Sequence, residues 1–260
     1  MIKLNEQIKI SIITPTYNSE KNIIKNILSV NSQNYSKIEQ IIIDNDSRDK
    51  TIEIIKNNSN RSLKIISEED KGTYDALNKG IKEASGHIIS ILHSDDFFYS
   101  KSTIADIADI FNNSEVDGVY GDLIYINKKN KPIRYWKSNT YMDGLFKLGW
   151  APPHPSLFLK KSLFEAHGYF DISRGNSADF ELMKRFFEKK KIKTKYVNKV
   201  FVVMRYGGQS NKNTGNILKQ NYEIIKILGI QKDLIGLLRY FYFKITNRLL
   251  QLIFRNRHKK

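Results

Sequence analysis

The spacing of apolar positions changes twice along this chain, and each change predicts a different kind of structure. In the first half, short apolar runs alternate with stretches of helical spacing. Lys9-Ile10-Ser11-Ile12-Ile13 predicts a buried strand ending at Thr14-Pro15, and the helix after it puts Ile23, Ile24, Ile27 and Leu28 on one face. Gln40 to Ile43 predicts a second strand, running into Asp44-Asn45-Asp46-Ser47, and a helix covers about Thr51 to Asn57. Leu63 to Ile66 is the third strand. A helix over Thr73 to Ala84 aligns Tyr74, Leu77, Ile81 and Ala84, and Ile88 to Leu92 is a fourth strand, ending in His93-Ser94-Asp95-Asp96. Strand–helix alternation with short joints predicts an α/β fold with parallel strands and right-handed crossovers. In such sheets ligands sit beyond the carboxyl ends of the strands. Three of these four strands end there in loops rich in Asp, Asn, Ser or Thr.

The second half is less regular. Gly118 to Ile126 predicts a strand, whereas residues 127–155 hold four of the five prolines and are expected to be irregular. Ser156 to Leu159 is a short strand. Ser177 to Lys190 predicts a helix with Ser177 as N-cap and Leu182, Met183, Phe186 and Phe187 buried. Val200 to Met204 is a last strand, stopped by Gly207-Gly208. From Ile217 the pattern is helical and strongly apolar. If Asp233 to Arg255 forms one helix, Asp233, Lys244, Asn247, Arg248, Gln251 and Arg255 line a narrow polar face. Leu234, Leu237, Leu238, Phe241, Ile245, Leu249, Leu252 and Ile253 then cover most of the rest.

Composition narrows the chemistry. The 260 residues include no cysteine, which excludes disulfide scaffolds, zinc–thiolate centres and thiol nucleophiles. A net charge of +16 attracts polyanions: nucleic acid, anionic lipid or phosphorylated ligands. Basic residues cluster in the tail, where seven Lys/Arg and no Asp/Glu follow from Arg239 onward. That segment fits either an interfacial helix on an anionic membrane surface or a core or homodimer helix. Met1 to Lys9 lacks the apolar region of a signal peptide, and no run of 18 residues is free of polar groups. The chain is therefore expected to stay in the cytoplasm without a transmembrane helix.

The strand-end loops carry the candidate chemistry. Adjacent Asp95 and Asp96 suit a hard divalent ion, Mg²⁺ or Mn²⁺, bridging to a diphosphate; otherwise one caps the helix near Ser102 or both are solvated. Asp44 can accept from a base N–H or ribose hydroxyl, or serve turn and cap chemistry. Tyr17 could lie flat against a base or be an ordinary turn aromatic. Asp70-Lys71-Gly72 precedes a helix whose exposed side carries Asp75 and Asn78, a start that accepts anionic groups or is simply capped by Thr73. Asp179, in a helix first turn, is either a general base or a partner of the helix dipole. His154, between two prolines, is a further polar candidate or a structural group. No dinucleotide, P-loop or zincin motif is present.

Taken in order, Ile-Ile-Thr-Pro-Thr-Tyr-Asn (12–18), the Asp44–Thr51 loop, residues 67–80, Ala-Ser-Gly-His-Ile-Ile-Ser-Ile-Leu-His-Ser-Asp-Asp (84–96), Val-Tyr-Gly-Asp (119–122), His-Pro-Ser-Leu-Phe (154–158) and Ser-Ala-Asp-Phe-Glu-Leu-Met-Lys-Arg-Phe (177–186) resemble glycosyltransferase family 2. The likeness is to bacterial surface-polysaccharide enzymes of colanic-acid and O-antigen type, in lipopolysaccharide or capsule assembly. It implies a GT-A fold, a Rossmann-like mixed sheet flanked by helices, and an inverting enzyme that uses a nucleotide-sugar donor, UDP-linked before GDP- or dTDP-linked. It implies a lipid-linked or oligosaccharide acceptor and a peripheral position on the inner face of the plasma membrane. Pro15, Tyr17, Asp44 and Asp75 would then contact the nucleotide, Asp95 sugar or ribose, and Asp96 the metal. Asp179 would be the base, with His154 and Asp122 on the acceptor side. The implied division is a catalytic domain over 1–215, nucleotide-sugar half 1–125 and acceptor half 126–215, followed by a basic helical tail over 216–260. Two positions depart from the pattern: His93 stands where the acidic motif often begins with Asp, and Asn45, Asp46, Arg48 and Lys50 replace small residues of the Asp44 loop.

Other classes remain for comparison. A nucleic-acid binder would suit the charge, but the strand-end loops are acidic. A non-catalytic sugar or nucleotide binder is a further alternative. A nucleotidyltransferase would show a Gly-rich loop after the first strand, where this chain has Thr-Pro-Thr-Tyr-Asn-Ser.

Overall fold

The computed structural model describes residues 7–207 and 214–253. Its first half follows the apolar rhythm closely: β1 (Ile10–Thr16), α1 (Ile23–Asn31), β2 (Ile38–Asp44), α2 (Thr51–Asn58), β3 (Ser62–Ser67), α3 (Thr73–Glu83) and β4 (Ile88–Ile91). These four strands lie parallel in the order β3-β2-β1-β4, as the alternation predicts. β1, β2 and β4 are buried along their whole length, so they read as continuous apolar runs.

Beyond β4 the sheet becomes mixed. The elements are β5 (Phe97–Phe98), α4 (Thr103–Asn113), β6 (Gly118–Ile126), β7 (Pro132–Trp136), β8 (Leu157–Lys160), α5 (Lys161–His167), α6 (Ala178–Lys184) and β9 (Thr194–Arg205). The sheet continues through β8, antiparallel to β4 and β6, and β9, parallel to β6. Part of the stretch expected to be irregular is ordered: β7 pairs antiparallel with β6. α6 passes into a π-helical turn over Arg185–Lys189. Ser177 occupies the N-cap position without capping; its hydroxyl reaches the carbonyl of Gln220 at 3.3 Å instead.

The chain ends in α7 (Thr214–Leu228) and α8 (Leu234–Ile253). Ile224, Leu228, Ile230 and Tyr240 are buried in the same apolar cluster as Leu77, Phe146, Trp150 and Phe187. The helical tail is thus packed onto the sheet. Gly208 and Arg255, assigned from sequence to a turn and to the polar helix face, lie outside the described residues. Among the described residues no helix is long and apolar enough to cross a membrane.

Candidate active site

The carboxyl ends of β1 and β2 are tied together by short polar contacts. Ser47 Oγ accepts from the Asn18 N–H at 2.8 Å, Asn18 Oδ1 from the Arg48 N–H at 3.0 Å, and Thr51 Oγ1 from the Ser19 N–H at 2.7 Å. Asn18 and Asp46 take positive φ (45° and 50°), a conformation Asn and Asp tolerate best among non-glycine residues. The register places Asp44 beside Thr16 on one side and Ser67 on the other. Its carboxylate accepts from the Ser47 N–H (2.9 Å), Ser47 Oγ (2.5 Å) and Ser67 Oγ (2.6 Å). Asp44 and Pro15 are buried, so in this conformation they shape the rim and do not face its opening. The groups that do are Tyr17, half exposed, and Asp75 in the first turn of α3, which accepts from the Lys71 N–H at 3.0 Å. Asp70 lies within electrostatic reach of both Asp44 and Asp75; burial raises its pKa, and the two neighbouring carboxylates add to that. Three acids thus converge here.

The His93–Asp96 turn is the second part. Asn26, in the apolar stripe of α1, donates from Nδ2 to the carbonyls of His93 (2.9 Å) and Asp96 (3.2 Å). Its Oδ1 accepts from Gln40 Nε2 at 2.8 Å, which also reaches Thr14 Oγ1 at 3.0 Å. This buried amide relay fixes the turn against β1 and β2. Ser19 Oγ to Ser94 Oγ, at 3.0 Å, joins it to the β1 loop. Asp96 is fully buried, and no side chain donates a well-formed hydrogen bond to either carboxylate oxygen among the described residues; the nearest donor is the Arg205 backbone. Burial and then Asp95 push its pKa well above the ordinary value, with Arg205 opposing. A buried carboxylate so sparsely partnered is costly to ionise, and a cation resting on it offsets that cost. Among the described residues no group of three or more His, Asp or Glu side chains forms a closed metal cage.

α3 connects these loops to the third part. Tyr74, one residue before Asp75, hydrogen-bonds to Asp179 at the start of α6. Asn78 on the same helix clasps the backbone of Phe170 through its Oδ1 and Nδ2, both at 2.9 Å. Asp179 also accepts from the Phe180 N–H at 2.7 Å. Burial raises its pKa to about 6 against these donors. The ring of His154 stands 5.8 Å from that of His93, and burial lowers both to about 4, His93 also through His154. The two imidazoles are therefore neutral, and His154 Nε2 has no partner among the described residues. Tyr125 on β6 lies within electrostatic reach of both Asp96 and Asp179.

Asp122 stands apart from its expected place on the acceptor side. It is fully buried and accepts from Tyr135 Oη, the Ser138 N–H (2.8 Å) and Tyr196 Oη (2.8 Å), which pins β7 and β9 to β6. Sequence reading missed Tyr74 and Asn26. The signal in both was a polar group inside an apolar helical stripe. It also missed Arg205, at the last position of β9 facing Asp96.

The model of the family described as "Glycosyl transferase family 2" matches residues 11–188. A "PGL/p-HBAD biosynthesis glycosyltransferase" of Mycobacterium bovis is 30% identical over 207 residues, 77% of this chain and 78% of that protein. Among solved structures, S. aureus TarS (residues 1–349) in complex with UDP-GlcNAc superposes with a TM-score of 0.68 at 20% identity, over 92% of this chain and 74% of that one. The chain spans 43% of the longer TarS chain. Mannosyltransferase PcManGT from Pyrobaculum calidifontis, in complex with GDP-Man and Mn²⁺, gives 0.62 at 17% identity, over 94% of this chain and 74% of that one. These likenesses show the fold: a mixed α/β GT-A sheet flanked by helices.

Proposed function

The chain belongs to glycosyl transferase family 2 and is a glycosyltransferase; from that premise we propose that it moves a sugar, with inversion, from a nucleoside diphosphate to a hydroxyl of a lipid-linked oligosaccharide in bacterial surface-polysaccharide assembly. The observation that carries this reading is that two carboxylates from distant parts of the chain, the buried Asp96 after β4 and Asp179 with its pKa raised to about 6, both lie within electrostatic reach of Tyr125. The complexes of TarS with UDP-GlcNAc and of PcManGT with GDP-Man and Mn²⁺ support a nucleotide-sugar donor and a divalent cation. UDP-sugars come first, GDP- and dTDP-sugars after them.

Tyr17 and Asp75 would meet the nucleotide at the rim that Pro15 and Asp44 shape. Asp96, seconded by Asp95, would hold Mg²⁺ or Mn²⁺; a divalent cation there neutralises the diphosphate and stabilises it as it departs. Asp179 takes the proton of the acceptor hydroxyl as that oxygen bonds to the anomeric carbon and the bond to the diphosphate breaks. One base suffices, because the leaving diphosphate needs no proton. A base of pKa near 6 is mostly ionised at neutral pH yet still basic enough to work. The neutral His154 would hydrogen-bond on the acceptor side. The outward apolar surface of α8, next to the helix that carries Asp179's neighbours, supports a lipid-borne acceptor.

Asp179→Asn should lower turnover by about 10²–10⁴-fold while leaving donor binding unchanged. A screen of UDP-, GDP- and dTDP-sugars by metal-dependent thermal shift identifies the donor. Near-normal turnover in the variant, or no stabilisation by any nucleotide sugar, would overturn the reading.

A further inference from the structure

α8 is packed inside out. At 100° per residue, Tyr240, Lys244, Asn247 and Gln251 share one arc of the helix, and that arc faces the protein. Tyr240 is buried. Lys244 Nζ donates to Asn221 Oδ1 at 2.5 Å and to Tyr240 Oη at 2.7 Å, and Arg134 Nε donates to Gln251 Oε1 at 2.5 Å. The polar face is thereby used up in holding the helix to α7 and β7. The opposite arc is left in solvent: Leu234, Leu238, Tyr242, Ile245, Leu249 and Ile253 are all more than half exposed. A 20-residue helix is about 30 Å long, so this is a ridge and not a scatter of single side chains. Contiguous apolar surface of that size on a folded chain marks an interaction site.

We propose that this ridge docks on an anionic bilayer, with the side chains of α8 in the acyl boundary and basic groups on the headgroups. The charge distribution selects this occupant. Arg239 and Arg248 are exposed on the two flanks of the ridge, and no acidic residue follows Asp233 in the chain. A second copy laid face to face would bring these like charges together with no acid on that face to answer them. Beside the ridge lies a cavity of about 680 Å³, where Met142, Leu145, Ile230 and Ile235 meet Lys147 and Arg239. Its two acids are engaged locally: Asp233 accepts from the Gly236 N–H (2.9 Å) and Asp143 from Tyr141 Oη (3.2 Å). Apolar surface bordered by cations is what a partly inserted helix and anionic headgroups recognise together.

The position deepens the reading of a lipid-carried acceptor, on which its purpose rests. Gln220 of α7 accepts from Ser177, two residues before Asp179, and Asn221 beside it accepts from Lys244 of α8. The proposed base is thus linked to the docking helix through neighbouring residues of α7.

The test is cosedimentation of the full chain with phosphatidylcholine vesicles, with and without phosphatidylglycerol, for wild type and the Leu238→Glu/Leu249→Glu double variant. Wild type should bind the anionic vesicles, lose binding in high salt, and bind neutral vesicles weakly. The double variant should bind about tenfold or more weakly with unchanged Tm and unchanged nucleotide-sugar thermal shift. Equal vesicle binding by both proteins overturns the proposal. So does a wild type that ignores vesicles but sediments as a dimer that the double variant breaks. An enzyme that binds vesicles without transferring sugar would refute the catalytic reading alone; one that transfers sugar but ignores vesicles would refute the ridge alone.

Discussion

Tyr74 donates its hydroxyl to Asp179 while its neighbour Asp75 faces the nucleotide rim, so one turn of α3 touches both ends of the proposed reaction. The hydrogen bond favours the ionised carboxylate and holds Asp179 below where burial alone would put it. A base works only when deprotonated, so kcat/KM should fall as pH drops below about 6. Tyr74→Phe removes a donor to the charged form, which raises the pKa further and moves this acidic limb to higher pH. A pH profile of kcat/KM for the two proteins decides it; a limb that stays put, or moves to lower pH, contradicts the coupling.

Asp96→Asn should have opposite effects with and without metal. Without metal, the substitution removes a buried carboxyl group that is costly to ionise and should stabilise the fold by about 1–3 kcal/mol. With Mn²⁺ at about 100 times its Kd, wild type should gain about 2.7 kcal/mol and the variant almost nothing. Thermal unfolding in EDTA and in Mn²⁺ measures both. An unaltered Mn²⁺ shift in the variant would remove Asp96 from the metal site.

The parallel half of the fold was legible because β1, β2 and β4 are buried along their length and its helices carry one apolar stripe each. β7 was not: it opens on Pro132 and carries Arg134 at its centre, both poor strand signals, and it is ordered by pairing with β6 and by Arg134 resting on the Tyr125 and Trp136 rings (4.7 and 5.0 Å). α5 is seven residues long, too short to show a period. The acidic loops of the site could be read as strand ends, but burial of Asp44 depends on its register with Ser67, a long-range fact. Asp122 looks the same in sequence as an acid facing a cleft, and only the meeting of Tyr135 and Tyr196 around it reveals a buried clamp. For α8 the two faces were legible, but which one turns inward depended on partners as distant as Arg134.

Gly80→Ala should damage fold and function together. A Cβ at this position would lie 2.4 Å from Ile13 Cγ2 and 3.2 Å from Ile43 Cγ1, both in fully buried strand residues. Either α3 lifts off β1 and β2 or Ile13 and Ile43 are forced aside, at a cost of about 1–3 kcal/mol. Tyr74 and Asp75 ride on that helix, so donor affinity and turnover should fall as well. Urea unfolding combined with steady-state kinetics checks the pair; loss of stability with wild-type kinetics would show that α3 does not position the site.

Glu39 gives a prediction about acid stability that is independent of catalysis. It lies toward the start of β2, at the end of the strand opposite Asp44, and accepts from Ser11 Oγ (2.5 Å), Ser85 Oγ (2.6 Å) and the N–H groups of Ser85 (2.7 Å) and Gly86 (3.1 Å). Lys9 Nζ is 2.7 Å away. Burial pushes its pKa up, but Lys9 and the serine donors outweigh it and hold the group down at about 2, against an ordinary value of 4.5. A carboxylate depressed in the folded state stabilises fully above its unfolded pKa and loses that contribution as pH falls through the folded one. Wild type should therefore lose about 3 kcal/mol from this group between pH near 4.5 and near 2. Glu39→Gln should be less stable at neutral pH by up to that amount and show a flatter profile over the same window. Transfer activity per folded molecule should not change, since the substitution lies at the far end of the strand from the recess. Denaturant unfolding at neutral pH and near pH 3 measures the difference, and parallel pH profiles for the two proteins would mean that Glu39 is not the group holding this edge of the sheet against acid.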